Sequence, residues 1–137
     1  NKARMNACGY SLGTTFAPNW MDWPMLYTGN PYVIEPGNKI GEVFDIHAKT
    51  FDDLGFNKAR MNACGYSLGT TFAPNWMDWP MLYTGNPYVI EPGNVFFMHM
   101  ILMDSENQLA MNLGETYLVT EQGNQRLGKQ KIDLVVL

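Results

Sequence analysis

The sequence predicts an α+β protein, an antiparallel sheet with one main amphipathic helix. Two observations carry that prediction. Across residues 39–56 apolar side chains recur at three- and four-residue spacing, the period of a helix with one buried stripe. From Val95 onward the chain changes to short apolar and β-branched runs separated by turn residues. A helix followed by successive strands with short links is an α+β order, because parallel strands would need long crossovers between them.

The helix comes first. Val43, Ile46, His47, Thr50, Phe51 and Leu54 fall on one stripe. Asn38 is the expected N-cap, Glu42 lies near the positive end of the helix, and Gly55 is the expected C′ residue, followed by apolar Phe56. His47 on that stripe reads as a structural histidine, since no carboxylate or second histidine accompanies it.

Next, Gly65, Gly69 and Thr70-Thr71-Phe72 suggest a short strand with close backbone approaches. Residues 73–81 (APNWMDWPM), with two prolines and two tryptophans, read as an ordered loop. Thr84-Gly85-Asn86-Pro87 is a turn, and Glu91-Pro92-Gly93-Asn94 fits a type II turn with Pro at the second position and Gly at the third. Val95–Met103 (VFFMHMILM) reads as a central strand covered on both faces. Asp104–Asn107 closes a hairpin, Gln108–Leu113 returns, Glu115–Thr120 forms the next strand, and Gln122-Gly123-Asn124 turns again. Leu134–Leu137 is a candidate last strand.

One stretch of 38 residues occurs twice without a substitution, at Asn1–Asn38 and at Asn57–Asn94. Working repeats keep their core positions alike but let surface positions drift. Identity at every position therefore points to a recent duplication or a join. Residues 39–137 are read as the contiguous piece and 1–38 as a displaced copy. One set of partner strands cannot receive two identical segments in one place, so the first copy is expected to be poorly ordered or docked differently from the second.

The length allows one ordinary domain. Nine basic against 13 acidic residues, net −4, and no clustered basic surface speak against nucleic-acid binding. No apolar run approaches the roughly 18 residues of a membrane helix. The only cysteines, Cys8 and Cys64, are one position in two copies, so they are no disulfide framework. The chain reads as cytoplasmic, with a possible homodimer made through the duplicated segment.

His99 is the strongest candidate for chemistry, an imidazole in the middle of an apolar strand that must find partners or bear a desolvation cost. Glu115 opens a neighbouring strand, and Tyr66 sits beside a glycine where its hydroxyl can enter a cleft. Trp76 and Trp79 are candidates for an aromatic pocket wall. Gly65-Tyr66-Ser67-Leu68-Gly69 is not read as a nucleophile elbow, and no Cys-x-x-Cys, His-Glu-x-x-His or phosphate-binding glycine loop occurs.

Taken in order, Pro36-Gly37-Asn38 before the helix, Gly65-Tyr66-Ser67-Leu68-Gly69, Glu91-Pro92-Gly93-Asn94-Val95-Phe96 and Leu118-Val119-Thr120-Glu121-Gln122-Gly123 resemble the creatinase / aminopeptidase P / methionine aminopeptidase superfamily. The resemblance spans Lys39 to about Gly123 and implies the C-terminal half of a pita-bread catalytic domain. It implies a parent hydrolase, either Xaa-Pro peptidase-like or acting on small osmolyte-like substrates. Family peptidases hold two metals on two Asp, one His and two Glu. The two Asp lie upstream, on strands outside this chain; the His falls on Tyr66, the first Glu on His99, and the last Glu on or next to Glu115. A divalent metal in the full-length parent is therefore left open, with His99 and Glu115 as its remaining ligands here.

The form of the motif resembles ectoine hydrolase and dimethylsulfoniopropionate lyase-like members more than proline peptidases. The resemblance implies His99 as acid or base with Glu115 orienting it, Tyr66 beside them, and Trp76 and Trp79 lining a pocket for a small molecule or dipeptide. The chain alone is expected to be inactive. The alternative is a non-catalytic binding or self-association module built on the duplicated segment.

Overall fold

The computed structural model describes residues 10–12, 33–69, 71 and 78–129, with backbone only at residues 10–12, 78–79 and 109. Within them lie one helix, α1 (Ile40–Asp53), and six strands: β1 (Tyr10–Leu12), β2 (Gly65–Ser67), β3 (Asp78–Met81), β4 (Val95–Asp104), β5 (Leu109–Thr120) and β6 (Gly123–Arg126). The strands make one antiparallel sheet in the order β1-β5-β4-β2-β3, with β6 also paired to β5. This is the α+β order expected from the helix and strand periods. Among the described residues no helix is long and apolar enough to cross a membrane.

The helix forms where its period predicts, and both ends have a local cause. The cap is Lys39, one residue later than expected: its N–H donates to the Glu42 carboxylate at 3.1 Å, while the Asn38 amide turns back to the Val33 carbonyl at 3.2 Å. At the other end Gly55 takes φ +82°, Phe56 N–H reaches the Phe51 carbonyl at 2.8 Å and Gly55 N–H reaches that of Asp52 at 3.0 Å. These two bonds are the Schellman pattern, which satisfies carbonyls the helix leaves open. The buried stripe comprises Ile40, Gly41, Val43, Phe44, His47 and Phe51. It is rotated from the expected one: Ile46 and Thr50 lie at its margin, and Phe44 replaces them inside. Gly41 is required by contact, since a Cβ there would sit 2.8 Å from the Asn86 backbone nitrogen and 2.9 Å from its carbonyl oxygen.

The strand pairing differs from expectation in three places. The segment 109–120 is one 12-residue strand, because its register with β4 runs without a shift from Val95↔Leu118 to Asp104↔Leu109. The hairpin tip is held by Asp104, whose carboxylate accepts from the Asn107 N–H at 3.1 Å and side-chain amide at 2.7 Å. Residues 78–81, expected within a loop, form β3 on β2, and the turn lies at 121–122, so that Gly123 and Asn124, expected within it, already belong to β6. Residues 134–137, the candidate last strand, lie outside the described residues.

Burial along β4 alternates. Phe96, Met98, Met100 and Leu102 are at most 1% exposed, whereas Val95, Phe97, His99 and Ile101 are half-buried. The first set joins Ile40, Val43, Phe44, Phe51, Leu113 and Tyr117 in one core. Hence α1 covers one sheet face, and β4 is enclosed there and not, as expected, on both sides.

The two copies of the repeated stretch share one local fold and diverge in another. Val33–Asn38 and Val89–Asn94 end in the same turn: Gly37 and Gly93 have φ +91° and +89°, and Ile34 and Ile90 are both buried. Gly37 N–H and the Asn38 carbonyl clasp Ile90 at 2.9 and 2.8 Å; Gly93 N–H and the Asn94 carbonyl clasp Val119 at 3.0 and 2.9 Å. Tyr10–Leu12, by contrast, pairs with Leu113–Met111 of β5, while the equivalent Tyr66 and Ser67 pair with Phe97 and Phe96 of β4. The turn is set by its own sequence, so it recurs. The strand needs a partner edge that only one copy can occupy.

Candidate functional site

The face of the sheet turned away from α1 gathers the aromatic and imidazole groups. Tyr66 lies opposite Phe97, and His99 lies opposite Gly114. Directly opposed residues of an antiparallel pair share a face, so Tyr66, Phe97, His99 and Gly114 are together. The ring centroids agree: Tyr66–Phe97 5.5 Å, Phe97–His99 5.2 Å, and Tyr66–His99 6.0 Å with the planes at 83°. Burial holds the His99 pKa below its ordinary value, so the imidazole is neutral at pH 7 and its free nitrogen lone pair can take a proton.

Glu115 is not with them. It lies opposite Met98, whose side chain is fully buried in the core, and therefore points to the α1 side of the sheet. There its carboxylate binds Arg126 Nε at 3.0 Å and accepts from the N–H groups of Thr116 at 3.0 Å and Gly128 at 3.1 Å. Glu115 thus holds the chain after β6 against β5, and the structure does not bring it to His99 as an orienting group or as a second metal ligand. Glu115→Ala should release that clasp at a cost of about 1–3 kcal/mol, because Arg126 and the Gly128 amide lose a shared acceptor. Hydrogen exchange checks it: the amides of Leu127 and Gly128 should lose protection while those of Met98 and Met100 keep theirs.

The other candidates divide. Tyr66 is buried beside His99. Trp76 lies outside the described residues, and Trp79 is placed by its backbone in the edge strand β3. Gly65–Gly69 carries Gly-x-Ser-x-Gly spacing. Even so, Ser67 lies in a strand opposite Phe96 rather than on a strand-to-helix turn, so it is not a nucleophile elbow. Sequence reasoning missed Asn112, which lies opposite Ile101 and shares the His99 face; its Oδ1 is buried without a hydrogen-bond partner among the described residues. The signal available was its place two residues before Gly114, on the same side of the strand.

A two-metal centre does not fit the residues present. Among the described residues no three His, Cys, Asp or Glu side chains come together to hold an ion. Opposite His99 stands Gly114, which offers no ligand, and the Phe97 ring occupies the space its Cβ would take. No acidic side chain lies on this face of β4 or β5.

One helix packed on an antiparallel sheet in this strand order defines a partial pita-bread α+β fold. The chain belongs to metallopeptidase family M24, which it matches over residues 32–121. It is 28% identical over 97 residues to an ectoine hydrolase from Halomonas elongata. Its fold is similar to an Xaa-Pro dipeptidase from Bacillus anthracis (TM-score 0.75, 15% identity, 90% of this chain and 34% of that one). It is similar as well to an X-Pro aminopeptidase from Thermotoga maritima (TM-score 0.73, 13% identity, 83% of this chain and 31% of that one). The match covers 69% of this chain and 23% of the ectoine hydrolase, so the chain spans about a quarter of that relative and about a third of the two solved structures.

Proposed function

We propose that this chain supplies the acid–base side of the active site of a family M24 hydrolase that cleaves a C–N bond in a small osmolyte-like molecule, as the name of its ectoine hydrolase relative suggests. The observation that carries the reading is the composition of the His99 face: a neutral imidazole between Tyr66 and Phe97, with Gly114 in place of an opposing carboxylate. Such a face suits general-base catalysis more than the assembly of a metal pair.

In this reading neutral His99 takes a proton from a water as its oxygen attacks the carbon of the C–N bond. The imidazolium then returns that proton to the departing nitrogen, and the water's second proton follows to nitrogen as the carbonyl closes. One water is thus consumed and a carbonyl group and an amino group form, on one molecule where the C–N bond lies in a ring. Tyr66 and Phe97 exclude bulk water around the imidazole and keep its lone pair available. Remaining groups of the site lie beyond this chain's share of its relatives' length, so the chain by itself is expected to turn over nothing.

The product of the complete gene tests this. It should hydrolyse ectoine, spare Xaa-Pro dipeptides, and keep its kcat within about twofold after chelation and dialysis. His99→Ala should lower kcat by about 10²–10⁴, and the rate should fall on the acid side as His99 takes up a proton. Xaa-Pro cleavage that a chelator abolishes, or full activity in His99→Ala, would overturn the proposal.

A further inference from the structure

We infer that Asn112 is a substrate-binding residue, its Oδ1 accepting a hydrogen bond from an amidine- or amide-type N–H of a small ligand held on the His99 face. The inference rests on the hydrolase reading above and names a contact that reading does not contain. Asn112 stands opposite Ile101 in the unbroken β4–β5 register, two residues from Gly114, which stands opposite His99. It is thus the diagonal neighbour of His99 on one face, roughly 7 Å away. That separation spans a small ring or a short amide, with the N–H at one end and the carbon facing the imidazole at the other.

The amide oxygen itself points to a ligand. Oδ1 is buried and has no hydrogen-bond partner among the described residues. A buried acceptor left unmade costs about 1–3 kcal/mol, a cost repaid when a donor arrives. The surroundings select the kind of donor. The side chains that β4 and β5 place on this face, from Val95 to Met103 and from Ala110 to Thr120, include no Asp, Glu, Lys or Arg. A compact ammonium would find no counter-charge. A flat amidinium, with its charge spread over two N–H-bearing nitrogens, can donate to a neutral oxygen while lying against the Phe97 and Tyr66 rings.

The experiment titrates the product of the complete gene with ectoine, a cyclic amidine, and separately with acetamidinium, following the Asn112 side-chain carbonyl carbon by NMR. Both probes should move that resonance. Asn112→Leu should weaken ectoine binding about tenfold or more, and Asn112→Asp, which keeps an oxygen acceptor, should stay within a few-fold of the original. Backbone amide spectra of both variants verify that the sheet is intact. Ectoine binding that ignores Asn112→Leu overturns the inference and leaves the proposed function standing. A shift with acetamidinium but not with ectoine upholds the N–H acceptor and removes the ectoine-type substrate. If neither probe moves Asn112, its oxygen serves a buried water only and the inference fails.

Discussion

Gly65→Ala is expected to be among the most damaging single substitutions in this chain, lowering stability by about 3–5 kcal/mol. Gly65 opens β2 and pairs with Met98 of β4. A Cβ there would overlap the Phe97 carbonyl oxygen and lie 3.2 Å from the Met98 Cα. Both are backbone atoms of the central strand, held on the far side by β5, so they cannot move aside as a side chain would. Either β2 leaves β4 or the whole ladder shifts. Each kcal/mol lost is worth about 3–5 °C in Tm for a chain of this size, which makes the fall easy to read by circular dichroism. Gly93→Ala is the contrast: its φ of +89° lies in open space, so only the left-handed backbone is penalised, by about 1–2 kcal/mol. The larger loss should also dismantle the candidate site, since β2 carries Tyr66 to Phe97 and His99. A Gly65→Ala protein melting within about 2 °C of the original would show that the β2–β4 contact is looser than described.

Acidification from pH 7 to pH 4 should remove about 3 kcal/mol of stability through His47 alone. This histidine is fully buried against Phe51, with ring centroids at 4.4 Å, and Phe44. Its pKa is lowered from 6.5 to about 4, first by burial and then by the Arg60 cation, with Asp52 opposing. The unfolded chain therefore binds this proton below about pH 6.5 while the folded one refuses it until about pH 4. Stability is complete above the upper value, declines between the two, and the loss is complete below the lower. Asp52, whose pKa the Arg60 hydrogen bond lowers, loses its contribution only below the ordinary carboxylate range, outside this window. Urea midpoints measured from pH 7.5 to 4 should fall along that limb, and His47→Leu should remove most of the fall, leaving the part that half-buried His99 contributes in the same direction. A midpoint that stays level across the window in the original protein would refute the assignment.

Local features were legible in the sequence because local chemistry causes them. The helix over Ile40–Asp53 follows from its apolar period, its end from Gly55, the hairpin tip from Asp104 and Asn107, and the turn at Glu91–Asn94 from Pro92 and Gly93. The superfamily was legible from the order of short motifs along the chain, and the family match and fold agree with it. Less local features were missed. Residues 78–81, with their proline, resembled a loop; Pro80 is tolerated because it lies in an edge strand, which needs fewer ladder bonds. Residues 109–114 and 115–120 looked like two segments because Gly114 interrupts them, although the strand runs through.

By itself, then, the sequence determined the helix, the Pro-Gly turns and the superfamily, all legible from short stretches of neighbouring residues. The tertiary structure alone decided which residues share a face. Read along the chain, Glu115 and Gly114 are one step apart and equally able to stand beside His99. In the sheet that single step is the difference between the core and the open face, because side chains alternate with a period of two. The β4–β5 register puts Gly114 opposite His99 and sends Glu115 to Arg126. The duplicated segment teaches the same lesson: its Glu-Pro-Gly-Asn turn forms twice from its own sequence, but its Tyr-Ser-Leu strand takes a different edge in each copy. A strand has no structure of its own until a partner supplies its hydrogen bonds.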